Sequence, residues 1–121
     1  MMVKPERIVI DNVTYVREDA QVGATSKDAV IVRCQAAGCF FGQLVASDLG
    51  KGYVKLSKAR RLWYWSGAAS LSQLAVDGTS KPNDCKFPVA VPEIEVTGVL
   101  EVIPCTAKAI ESINAVAIWK A

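Results

Sequence analysis

There is no histidine anywhere in the 121 residues. That absence removes the side chain best suited to proton transfer near neutral pH, and with it any Ser/His pair, Cys/His pair or histidine-ligated metal built within this chain. A CxxC pair is missing as well: Cys34 and Cys39 are separated by four residues and Cys85 and Cys105 by nineteen, against the short paired knuckles of zinc ribbons. The four thiols therefore read as small buried hydrophobes in a reducing compartment, and no metal or cofactor is expected.

Three further absences narrow the role. Gly50-Lys51-Gly52 lacks the Lys-Ser/Thr ending of a phosphate-cradling loop and reads as a turn. No stretch approaches the roughly 18 uninterrupted apolar residues of a membrane span, and the opening MMVKPERIVIDN lacks the apolar core of a signal peptide, so a cytoplasmic protein away from membranes is expected. Fourteen Lys and Arg against twelve Asp and Glu leave a net charge of +2, too little for a broad polyanion-attracting field, so extended nucleic acid is not an expected partner. The carboxylates fall mostly in turns or at alternating strand positions and read as solvated faces. Without a proton-transfer residue the chain is expected not to be an enzyme.

What remains is a folding chain. With 51% hydrophobic and 21% charged residues, it lies well away from the composition of disordered proteins. Alternation in RIVIDNVTYVRED about Asp11-Asn12 predicts an N-terminal hairpin over 1–19, and AQVGATSKD predicts a linker over 20–28 ahead of a core domain over 29–121. Short β-branched runs broken by turns predict a β-meander over 29–65. Ser70-Leu71-Ser72-Gln73 has the capping-box pattern, with Ser70 accepting from the Gln73 amide and the Gln73 side chain returning the bond, before a short helix ended by Gly78. Two strands or one bent strand follow, with Gly98 expected at a bulge. Thr106 then caps a helix through AKAIESI, and AVAIWK closes with strand character. The fold class is α+β, a mainly antiparallel sheet or small barrel-like meander with two short helices.

The stretch ARRLWYWSGAA, residues 59–69, concentrates chemistry. If extended, it sends Arg61, Trp63 and Trp65 to one face and Arg60, Leu62 and Tyr64 to the other. Indole stacks on a base and guanidinium offers a fork to phosphate, while Ser66 to Ala69 are small and the helix entrance at Ser70 supplies amides. Arg60, Arg61, Trp63, Trp65, Ser66 and Ser70 are thus the candidate ligand residues, for a small phosphorylated or nucleotide-like molecule. The same aromatics are equally the material of a core or of a homo-oligomer contact.

VIVRCQAAGCFFG, ARRLWYWSGAASLSQLAVDGTSKP and KFPVAVPEI together resemble the sequence blocks of a family of small bacteriophage proteins with no assigned activity. The likeness covers roughly residues 29–119 and leaves the N-terminal hairpin outside. It implies a viral origin and a host-cytoplasm setting, and carries over no catalytic residue. Two roles fit: a binding protein that sequesters a host signal in counter-defence, or a virion component or protein-interaction module.

Overall fold

In the computed structural model, side chains are described for residues 28–120, and backbone alone for two strands before them. Those strands, β1 (Arg7–Ile10) and β2 (Val13–Val16), pair antiparallel with Arg7 opposite Val16. The turn between them and most of the 20–28 segment lie outside the described residues.

The main sheet is antiparallel throughout and holds β3 (Ala29–Cys34), β4 (Cys39–Asp48), β5 (Tyr53–Arg61), β6 (Val91–Val96) and β7 (Val99–Pro104), in the order β6-β5-β4-β3-β7. β6 and β7 are consecutive in the chain yet stand at opposite edges, joined by Thr97 and Gly98 alone. Four strand spacings would set the edges of a flat sheet about 19 Å apart, whereas three residue steps reach at most about 11 Å. The sheet must therefore curl until its edges approach at one end. Two hydrogen bonds fix that corner: Val99 N–H donates to the Gly52 carbonyl (3.0 Å) and Gln35 N–H to the Gly98 carbonyl (2.8 Å). Gly98, with φ +71°, is thus the corner of a crossover and not the expected bulge. The sheet stays open, because β6 and β7 share no ladder.

Curling gives the sheet two buried faces. Val30, Val32, Cys34, Phe40, Val54, Leu56, Ala59 and Val96 fill one; Ala29, Ile31, Phe41, Leu62 and Phe87 pack on the other against the helices. The uninterrupted apolar run AVIVRC follows from this, since β3 alternates between two cores instead of between core and water.

Register shifts lie between β3 and β7, where Leu100 is the extra residue between the Arg33↔Glu101 and Cys34↔Val99 pairs, and between β4 and β5. Pairing shifts from Phe41↔Arg60 to Gln43↔Ser57, so Gly42 stands opposite two residues, Lys58 and Ala59. Lys58 takes φ +50°, the left-handed region. A Cβ on Gly42 would lie 3.1 Å from Ala59 Cα, so the two backbones press together at that point. The extra residue turns the alternation over. Val54 and Leu56 share a face with Ala59, while Arg60 and Leu62 point at the helices.

Helix α1 (Leu71–Asp77) starts where expected, with Ser70 Oγ accepting from the Gln73 amide at 3.2 Å. The reciprocal bond is displaced by one residue: Gln73 Oε1 accepts from Ala69 N–H (2.7 Å), not from Ser70. Helix α2 (Ala107–Asn114) is capped by Thr106 Oγ1, which accepts from Ala109 N–H and donates to the Val76 carbonyl at the end of α1. One threonine thereby serves the start of one helix and the end of the other. Leu71, Leu74 and Ala75 of α1 and Ala109 and Ile113 of α2 close the second core.

Candidate functional site

Arg60 lies in the core, 6% exposed. Its Nε donates to the Pro88 carbonyl (3.1 Å), Nη1 to Ile113 (3.1 Å) and Val116 (3.0 Å), and Nη2 to Phe87 (2.6 Å) and Ala117 (3.4 Å). A guanidinium has five N–H groups, and all five are used on main-chain carbonyls. Two of those acceptors, Ile113 and Val116, are at the C-terminal end of α2, where a positive charge is favoured. Burial pushes the Arg60 pKa down. No donor is left for a ligand: this side chain ties the chain after α2 to the segment around Phe87.

Arg61 is exposed on the opposite face, its Nη1 on the Ala37 carbonyl (2.6 Å) and its guanidinium 4.5 Å from the centre of the Phe40 ring. Beyond Arg61 the strand ends, and strict alternation ends with it. Trp63 is 60% exposed, whereas Trp65 packs against the helix-side core. The two tryptophans do not share a face. Ser66 is half-buried, its carbonyl accepting from Thr79 Oγ1, and Ser70 is occupied as the cap of α1. The helix entrance expected to attract an anion has the Gln73 and Ala69 amides already bonded. Gly67 takes φ +82°, and a Cβ there would press on the backbone of Ser80 and Lys81, so this loop lies flat on 79–81.

Around Trp63 the structure assembles a different cluster. Residues 86–87 form a short extended link: Lys86 exchanges backbone bonds with Tyr64 (Lys86 N–H to Tyr64 carbonyl 2.8 Å, the reverse 3.3 Å), and Phe87 accepts from Trp119 N–H (3.0 Å). Phe87 is wholly buried and so turns Lys86 outward, between Tyr64 on one side and Trp119 on the other. The Lys86 ammonium lies 5.5 Å from the centre of the Trp119 ring, 5.9 Å from Tyr64 and 6.0 Å from Trp63, and the two indoles are 6.0 Å apart at 50°. Beside them opens a cleft of about 490 Å³ lined by Tyr64, Ser66, Lys86 and Trp119, with Asn83, Asp84 and Cys85 completing it.

Of the six residues expected from sequence, Trp63 and Ser66 reach this cluster; Arg60 underlies it from the core, and Arg61, Trp65 and Ser70 lie elsewhere. Sequence reasoning left Tyr64 out of the candidates, on the opposite face, and missed Asn83, Asp84, Cys85, Lys86 and Trp119. Their signal was faint: one lysine in a turn-rich segment and one tryptophan near the chain end, distant from Tyr64 in sequence.

Thiol chemistry is muted. Burial pushes the Cys34 and Cys39 thiols up and the Cys105 thiol to about 12. Among the described residues no group of three or more Cys, Asp or Glu is placed to hold a metal, and no helix is long and apolar enough to cross a membrane.

Residues 27–113 match the model of a family described as Domain of unknown function (DUF6948). The chain belongs to this family. The DUF6948 stretch takes in the five-stranded sheet, nearly all of both helices, Tyr64 and Lys86; Trp119 lies beyond it. No curated protein and no solved structure gives a significant match.

Proposed function

We propose that the protein is a non-enzymatic binding protein that takes a small nucleotide-like, phosphorylated ligand into the cleft of Tyr64, Lys86 and Trp119 and sequesters it. The observation that carries this reading is the convergence of one ammonium and three aromatic rings, all at 5.5–6.0 Å, on the edge of a concave surface. Stacking a base on such rings contributes about 1–3 kcal/mol. Lys86 supplies a point charge for phosphate. Asp84, Asn83 and Ser66 offer acceptors and donors to sugar hydroxyls or a base edge, which inorganic phosphate alone would not use. The cleft volume falls in the range of small-molecule sites.

The resemblance to bacteriophage proteins supports a host-cytoplasm setting, in which the captured molecule is a host signal and its removal is counter-defence. Thermal-shift and calorimetric titration with mono-, di- and cyclic nucleotides and ADP-ribose derivatives tests the reading. Saturable stabilisation by at least one of them is expected; a flat response to all overturns it.

One observation favours a second reading, a protein interface serving a homo-oligomer or a virion assembly. Trp63 is 60% and Ile118 52% exposed beside the cleft, and exposed tryptophan is hot-spot material. Light scattering of the purified protein, with a Trp63→Ala variant beside it, separates the two. A mass above one chain that falls in the variant supports the interface, and a monomer in both removes the homo-oligomer.

A further inference from the structure

A second cleft, of about 310 Å³, opens between the β4–β5 bulge and α2. Its floor is apolar: Ala29 and Phe41 are buried, and Ile110 of α2 is half-buried. Its rim is polar and carries one ammonium: Gln43, Lys58 and Asn114, the last one helical turn on from Ile110.

The backbone at Lys58 gives this cleft its interest. Lys58 is the one non-glycine residue at positive φ among those described. The bulge requires that conformation, and glycine would adopt it without the steric penalty that a Cβ brings. A lysine here therefore weakens the fold relative to glycine, and its exposed side chain makes no ion pair among the described residues. What lysine supplies and glycine cannot is an ammonium at the cleft mouth. Strain held by a non-glycine residue beside a cavity is a mark of use.

We infer that this cleft binds a small monocarboxylate with a compact apolar body, such as a short aliphatic or an aryl acid. The Lys58 ammonium pairs with the carboxylate, the Gln43 and Asn114 side-chain amides donate to its oxygens, and the apolar body rests on Phe41 and Ile110. An amine of the same shape would meet Lys58 with like charge, and a neutral amide would forgo the ion pair.

The site is independent of the aromatic cleft, so the two readings succeed or fail separately. The test is a nitrogen-15 correlation NMR titration of the full chain with benzoate and hexanoate, beside benzamide and benzylamine. Saturable shifts are expected with the two acids, clustered at Phe41, Gln43, Lys58, Ile110 and Asn114 and absent from Lys86 and Trp119. Lys58→Gly is expected to weaken acid binding about tenfold or more, as loss of a charge-assisted bond does, while unfolding at no lower urea concentration than the parent. Lys58→Met, which keeps the stem and the strained backbone, should lose binding equally. No saturable response to either acid, equal binding of the amide or amine, or undiminished binding by both variants overturns the inference.

Discussion

Arg60 and Trp119 meet at one atom: the Phe87 carbonyl oxygen accepts from Arg60 Nη2 at 2.6 Å and from the main-chain N–H of Trp119 at 3.0 Å. A buried cation thus shares the acceptor that anchors the Trp119 main chain beside the aromatic cleft. Arg60→Met should take the guanidinium from five main-chain carbonyls, of which Phe87 and Ile113 each keep one backbone donor, and cost about 3–5 kcal/mol, in the range of breaking a buried polar network. Urea denaturation followed by tryptophan fluorescence reads the loss. Arg60→Lys keeps the charge but not the fork, so it should cost less than Arg60→Met and still lower the urea midpoint.

Gly78 ends α1 at φ +76° with Ser112 of α2 directly against the position where a Cβ would stand. Ser112 Oγ also accepts from Thr79 N–H at 3.0 Å. Gly78→Ala therefore adds backbone strain and a clash at the helix–helix contact, and a loss of about 2 kcal/mol or more is expected by chemical denaturation. Ser112→Gly in the same background should recover part of that loss by removing the clashing atoms, whereas Ser112→Gly alone should destabilise.

Alkaline stability should carry the signature of Cys105. Burial raises its folded-state pKa from the ordinary 9.0 to about 12. Between those values the unfolded chain has lost the thiol proton and the folded chain retains it, so folding binds a proton. Stability from this group is complete below pH 9 and falls as pH rises toward 12. Urea midpoints measured upward from pH 8 should decline more steeply in the parent than in Cys105→Ala. Native Cys105 should also resist alkylation at neutral pH and react on unfolding.

Much of the fold was legible because it is local. The β3–β4–β5 meander, Ser70 and Thr106 as caps and Gly78 as terminator follow from residue types acting within a few positions. The placement of β6 and β7 at opposite edges was not, since it depends on the curl of the whole sheet. The candidate site shows the same division. Alternation correctly set Arg60 against Arg61, but nothing in a strand's period says which side is core, and the left-handed Lys58 turned the pattern over just before them. Trp65 fell to the core because the strand ends at Arg61. Lys86 and Trp119 join Tyr64 through two single backbone bridges, at separations that no local pattern records.

Trp63 and Tyr64 contribute unequally to ligand capture. Tyr64 lines the cleft, whereas Trp63 lies tilted against Trp119 from outside it. Tyr64→Ala should weaken nucleotide binding about tenfold, the loss of one stacking surface. Trp63→Ala should weaken it less and act mainly by loosening Trp119. Titration calorimetry of the two variants, with circular dichroism to verify folding, distinguishes them.

The most direct measurement is a tryptophan-fluorescence titration of the parent protein with its stabilising nucleotide, set beside Lys86→Ala, Trp119→Phe and Arg61→Ala. Binding should fall about tenfold or more in Lys86→Ala, since a charge-assisted contact to phosphate is lost, and the fluorescence response should shrink in Trp119→Phe. Arg61→Ala should bind as the parent does, because Arg61 lies over Phe40 and away from the cleft. Unchanged binding in Lys86→Ala together with loss in Arg61→Ala would contradict the assignment of the site to Tyr64, Lys86 and Trp119.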